Sequence, residues 1–156
     1  MSASEFNIIP IIIFFGIIYK SVLIKIDLYL EGKMKGLFKT QSFNFEVDFN
    51  DSDTAGEIIQ NLPVESTVST WGDEIYFDTG FKACAQNSSM KVEVGDVAYW
   101  PQGKCLCVFF GPTPASTSQR PEPASPVVVV GKTQASREDL RKIKLGEKIS
   151  VILIKQ

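Results

Sequence analysis

The sequence predicts a mostly β fold: a closed, mainly antiparallel barrel of about eight strands with two short helices. Three observations carry this reading. Short apolar runs recur at hairpin spacing, and most alternate apolar with polar residues, the period of a strand with one buried face. Two stretches have the spacing of a helix start, Thr54 with Glu57 and Ser136 with Asp139. Cys105 to Phe110 is apolar in both alternate sets, Cys105, Cys107, Phe109 and Leu106, Val108, Phe110, so neither face of that strand can be left to water. A strand covered on both sides fits a small barrel filled by side chains, with loops over its outer face.

Composition bounds what such a barrel can do. With 156 residues, 44% apolar and 22% charged, the chain supports one well-buried core. A formal charge of -2 provides no basic field, so nucleic acid is not an expected partner. The chain has no histidine, which removes the commonest general base and the commonest metal ligand together. Cys84, Cys105 and Cys107 lack the spacing of a disulfide framework or a zinc site. Cys105 and Cys107 read as small apolar residues on one strand face, the alternative being a redox pair, and reduced thiols fit a cytoplasmic location. No metal and no cofactor is implied.

The first 21 residues are expected to stand apart from a barrel domain spanning 22–156. Ile8 to Ile18 is an apolar run, but a membrane span needs about 20 such residues, and Tyr19 and Lys20 interrupt it first. Glu5 precedes the run and no small-residue cleavage site follows, so it does not match a signal peptide. Three readings stay open: an added strand or docked arm, a non-standard membrane anchor, or upstream sequence translated from a misassigned start with the true one near Val22 or Leu23.

From Val22 to Leu30, apolar Val22, Ile24, Ile26, Leu28 and Leu30 alternate with Lys25, Asp27 and Tyr29, predicting a first strand. Gly32 to Gly36 reads as a turn. Phe43, Phe45, Val47 and Phe49 then predict a second strand, paired with the first as a hairpin. Asn50-Asp51-Ser52-Asp53 supplies capping residues and Thr54 with Glu57 has capping-box spacing, so a helix should run to about Leu62, where Pro63 stops it, with Ile58, Ile59 and Leu62 buried. Val64 to Phe77 reads as strand, turn at Trp71-Gly72-Asp73, and strand. Asp73 and Glu74 are adjacent carboxylates whose side chains should diverge, and the plain reading is a surface turn.

Thr79 to Met90 is expected to be a loop. Val97 to Trp100 and Cys105 to Phe110, joined through Pro101-Gln102-Gly103, form the central hairpin. Gly111 to Pro126 is dense in proline and serine and should lie over the barrel as a surface loop. Val127 to Val130 is a short strand ended by Gly131. Ser136 caps a second helix expected to reach about Leu145, Gly146 closes it, and Ile149 to Lys155 is the last strand.

The strings STVSTWGDEIYF, VEVGDVAYWPQGKCLCVFFGPTP and PASPVVVVGK closely resemble the cyclophilin-like family of small bacterial and archaeal proteins, a domain without an assigned function. The resemblance spans about Val22 to the C-terminus and implies a cyclophilin-type barrel. Cyclophilins proper carry a glutamine followed by two phenylalanines in a central strand, and a histidine opening a later strand that ends in valine, phenylalanine, glycine and lysine. Matching Phe109-Phe110 to the phenylalanine pair places Val108 at the glutamine and Val127 at the histidine. The catalytic arginine has no counterpart near GDEIYF, and Arg120 lies in a different element. Without a cation or donor to stabilise the twisted amide, prolyl isomerisation of the cyclophilin kind is not expected.

Three functional readings follow. A binding module would take a small molecule or an extended peptide in an apolar groove lined by Val108, Phe110 and Val127 and rimmed by Trp71, Tyr76, Tyr99 and Trp100, with Thr113 and Arg120 as polar contacts. The same aromatics serve equally as barrel core. An enzyme without histidine, a divergent prolyl isomerase included, would draw on Glu74, Thr113, Ser116, Ser125 or Arg120, and their spacing identifies no nucleophile and base. An interaction subunit would use the apolar segment 8–18 against a partner or membrane. The sequence leaves the oligomeric state open.

Overall fold

In a computed structural model the described residues are 15–20, 22, 23, 26 and 34–154. Chain contacts divide the molecule into two units, Met1–Lys33 and Met34–Gln156. In the first, residues 15–20 are helical (α1), as are Val22, Leu23 and Ile26. The strand expected from Val22 to Leu30 is therefore corrected at every position of it that is described. Val22 and Ile26 fit strand alternation, but apolar Leu23 breaks it, and Val22, Leu23 and Ile26 together have the i, i+1, i+4 spacing of one helix face. The other expectations for residues 1–14 lie outside the described residues.

The second unit is a nearly closed barrel of nine strands. They are β1 (Lys35–Thr40), β2 (Phe45–Phe49), β3 (Val64–Thr67), β4 (Ser69–Thr70), β5 (Glu74–Asp78), β6 (Asp96–Trp100), β7 (Cys105–Phe109), β8 (Val128–Lys132) and β9 (Lys148–Ile154). Helices α2 (Asp53–Gln60) and α3 (Arg137–Leu140) complete it. The sheet order is β3-β9-β1-β2-β8-β6-β7-β5-β4 with antiparallel pairing throughout. Its two ends, β3 and β4, are consecutive in the chain. One extended segment, Val64 to Thr70, changes partner from β9 to β5 at Val68 and so joins the two ends of the sheet. Val68 is itself held, donating to Glu147 O (2.9 Å) and accepting from Gly146 N (2.8 Å).

Several elements refine the sequence reading. β1 begins at Lys35 and Gly36, the end of the stretch expected to be a turn, runs on to Thr40, and supplies the hairpin partner of β2. Its Gly36 lies under the Phe49 ring, where a β-carbon would come within 2.7 Å. The cap of α2 is Ser52, whose hydroxyl accepts from Ala55 N (3.2 Å), and Thr54 instead donates to Cys84 O (2.6 Å). Glu57 accepts from Cys84 N (2.8 Å), so this apparent capping box ties the helix to the 79–90 loop. Ile58 and Ile59 are buried as expected, while Leu62 is half-buried. Strand β8 runs through Gly131 to Lys132. Ser136 caps α3, but that helix stops at Leu140 and irregular turns lead to Gly146.

The barrel interior is filled by Phe38, Phe45, Val47, Phe77, Val97, Tyr99, Leu106 and Val108, each 4% exposed or less. Phe38 stacks on Phe45 (5.0 Å between ring centres) and meets Phe77 edge-on (6.0 Å). Cys105, Cys107 and Phe109 point the other way. With Val92, Ala98 and Val127 they form a second, smaller core on the outer face, flanked by Tyr76, Trp100 and Val129. Thus both faces of β7 are covered, one by the barrel and one by what packs outside it.

Candidate functional site

The outer core opens into a cavity of about 280 Å³ lined by Trp71, Glu74, Tyr76, Trp100, Cys107, Phe109, Pro123, Ala124 and Val127. Strand register explains the assembly. Glu74 is paired with Phe109 and Tyr76 with Cys107 on β5–β7, while Trp100 is paired with Cys105 on β6–β7. Side chains on alternate residues of three adjacent strands therefore share one outward face.

Two glycines shape the walls. Gly72, at φ +63°, makes the turn before Glu74, and a β-carbon there would come within 2.9 Å of Pro112 O. That turn is stitched to the 111–126 loop: Asp73 N donates to Pro112 O (3.0 Å) and Phe110 N to Asp73 O (2.9 Å). Gly103 lies against the Trp100 indole so closely that a β-carbon would overlap the ring. Trp100 Nε1 donates to Ser125 Oγ (2.6 Å), which donates to Gln102 Oε1 (2.9 Å), fixing the indole against the wall. Tyr76 meets it edge-on, with ring centres 6.5 Å apart and planes at 88°.

The 111–126 loop is a brace as well as a cover. Thr113 is buried, donates to Glu122 O (2.6 Å) and receives Ser116 N on its carbonyl (2.9 Å). This holds Pro123 and Ala124 over the cavity. Arg120 lies at the exposed end of the loop, 4.0 Å from Glu93.

Glu74 and Asp73 do diverge, but neither is a surface carboxylate, which corrects the plain reading of that turn. Asp73 accepts two hydrogen bonds from Arg141 (3.0 and 2.9 Å) and forms an ion pair with Arg137 (3.2 Å). The Glu74 side chain lines the cavity in a residue that is 5% exposed. Burial pushes its pKa up to about 7, against a smaller opposing effect of the hydrogen bond from Cys107. Burial likewise holds the Cys107 thiol well above its usual range, and the Glu74 charge adds to this. Among the described residues no group of three or more His, Cys, Asp or Glu side chains could hold a metal ion.

Of the residues expected to line a groove, Trp71, Tyr76, Trp100 and Val127 come together here. Tyr99 and Val108 belong to the barrel interior. The Tyr99 hydroxyl is engaged by Ala83 N (3.0 Å) and Phe81 O (3.3 Å). Phe110 is buried outside the cavity lining, Thr113 braces the loop, and Arg120 is outside the cavity. The groove-facing residues of β7 are Cys107 and Phe109, one position earlier than the match that placed Val108 and Phe110 there. Glu74, Cys107, Phe109, Pro123 and Ala124 were not read as its lining. The available signal was that Cys105 and Trp100 sit opposite each other across the short hairpin turn, which puts the odd-numbered β7 residues on the Trp100 side.

Comparison with known proteins adds three findings. The model of a family described as cyclophilin-like matches residues 34–152. A hypothetical protein from Archaeoglobus fulgidus, known from its solution structure, is 39% identical with a TM-score of 0.66, over 77% of this chain and 94% of that one. No curated protein matches the chain.

Proposed function

The chain belongs to the cyclophilin-like family, and from this premise we propose that it is a binding module whose outer-face cavity takes a small molecule or one side chain of an extended peptide. The observation that carries the reading is the Glu74 carboxyl, buried at the wall of an otherwise apolar and aromatic cavity. A structural core gains nothing from an acid without a counter-charge, whereas a recognition site needs a few placed polar groups among apolar ones. The cavity, at about 280 Å³, lies just under the roughly 300–1,000 Å³ of small-molecule sites, which suits a ligand of side-chain size.

A peptide fits because the groove continues. Val127 also lines a neighbouring, more polar cavity of about 470 Å³ with Ser52, Gln86, Asn87 and Ser89. An extended chain crossing Val127 would place one side chain in the aromatic cavity and its polar backbone in the next. Catalysis of the cyclophilin kind is not part of this proposal, since no arginine or lysine lines the aromatic cavity to stabilise a twisted amide.

The test uses Trp71 and Trp100 as built-in reporters: a metabolite and peptide library is screened by tryptophan fluorescence and thermal shift, beside a proline-peptide isomerisation assay. Ligands that shift the wild type should lose at least about tenfold in affinity in Val127→Arg, which fills the groove from its buried wall and is compared only once its near-ultraviolet dichroism shows it folded. Isomerisation well above the uncatalysed rate, or ligands bound equally by Val127→Arg, would refute the proposal.

A further inference from the structure

We propose that the aromatic cavity selects an organic ammonium group, held between the Glu74 carboxylate and the rings of Trp71, Tyr76 and Trp100. The inference rests on the binding-module reading and names its ligand class. It begins from a missing counter-charge. Glu74 is 5% exposed, yet among the described residues no lysine or arginine pairs with it. Arg137 and Arg141, the cations nearest its turn, are engaged by Asp73. The partner it has is the Cys107 thiol, a weak donor.

Ring chemistry points the same way. The faces of tryptophan and tyrosine carry negative charge and attract a cation within about 6 Å. Tyr76 and Trp100 stand at 88° to each other, so they form two walls of a corner rather than one flat stack. The indole N–H of Trp100 is spent on Ser125, which lies outside the cavity lining, leaving the hydrocarbon part of the ring for a ligand. A carboxylate beside aromatic walls repels anions and gains nothing from an apolar guest. An alkylammonium or quaternary ammonium group supplies the missing positive charge and an apolar surface together.

The experiment pairs each cation with a neutral analogue of similar shape: choline with dimethylbutanol, and butylammonium with butanol. Affinities for the full-length protein are measured by calorimetry and tryptophan fluorescence at about pH 8, where Glu74 is mostly ionised. The cation of each pair should bind at least about tenfold tighter than its analogue. Glu74→Gln should abolish that preference while keeping the near-ultraviolet dichroism of the folded protein, and Glu74→Asp should keep part of it. Equal binding within each pair, or a preference that survives Glu74→Gln, overturns the ammonium assignment while leaving the groove a binding site. Absence of binding by all four probes also overturns it, and the library screen with Val127→Arg then decides the binding-module reading separately.

Discussion

Cys107 donates a thiol hydrogen bond to Glu74 across the β5–β7 pair, and burial keeps both groups protonated well above their ordinary ranges. The bond itself favours the carboxylate, so burial and hydrogen bonding oppose each other at Glu74, and burial dominates. The wall of the groove is therefore neutral in mildly acidic solution and gains a negative charge near neutrality.

That balance sets a pH dependence of stability. The Glu74 pKa is raised from 4.5 to about 7 on folding, so the native state binds its proton more tightly than the unfolded chain. Its stabilising contribution is complete below about pH 4 and is lost as pH rises through about 7. A shift of this size corresponds to about 3 kcal/mol. In urea titrations from about pH 4 to pH 8, Glu74→Gln should gain about that much stability relative to wild type. A difference that stays flat with pH would show that Glu74 does not titrate in this way.

Thiol reactivity should follow burial. Burial pushes the Cys105 pKa up to about 11 and the Cys107 pKa well above its usual value, whereas Cys84 is half-buried. At about pH 8 roughly one part in a thousand of Cys105 is thiolate. Brief treatment of the native protein with iodoacetamide should label Cys84 first, and mass spectrometry should find Cys105 and Cys107 modified after unfolding. Early labelling of Cys107 would show the groove opening more widely than this geometry allows.

Gly103→Ala tests the seat of Trp100. The added methyl overlaps the indole, and the ring cannot swing away without breaking its bond to Ser125. The variant should lose about 1–3 kcal/mol, as overpacked sites do, with a shifted tryptophan emission spectrum. Ser125→Ala should lose less, about 1 kcal/mol, and alter the emission in the same sense. Unchanged emission in both variants would mean that the indole is not held as described.

Asp73→Ala removes the negative charge shared by Arg137 and Arg141 and loosens the turn that carries Glu74. Both arginines are partly exposed, so the expected loss is about 1 kcal/mol rather than the several of a buried pair. Arg137 keeps its bond to Phe110 O (3.1 Å), which limits the damage. Denaturant midpoints at low and high salt should converge in the variant and stay apart in wild type.

The sequence by itself determined the strand-rich barrel, because period-two patterns in β2, β5 and β9 leave one face that only a closed core can cover. It also determined the Pro101-Gln102-Gly103 hairpin and the cap at Ser136, since both depend on residues next to each other in the chain. Local pattern could not decide which face of β7 looks inward. Both its alternate sets are apolar, so the choice falls to the register with β5 and β6, and with it the exchange of Val108 and Phe110 for Cys107 and Phe109 in the groove. Around Val22 the alternation of Val22, Ile24 and Ile26 favours a strand while the adjacent Leu23 favours a helix, so local pattern does not decide between the two periods. The fate of Glu74 was likewise tertiary. Beside Asp73 it reads as one of two surface acids, and only the 111–126 loop, docking through Pro112 and Pro123, takes its carboxyl out of water. Burial, which gives that carboxyl its pKa, is a property of what packs against a residue rather than of its neighbours in sequence.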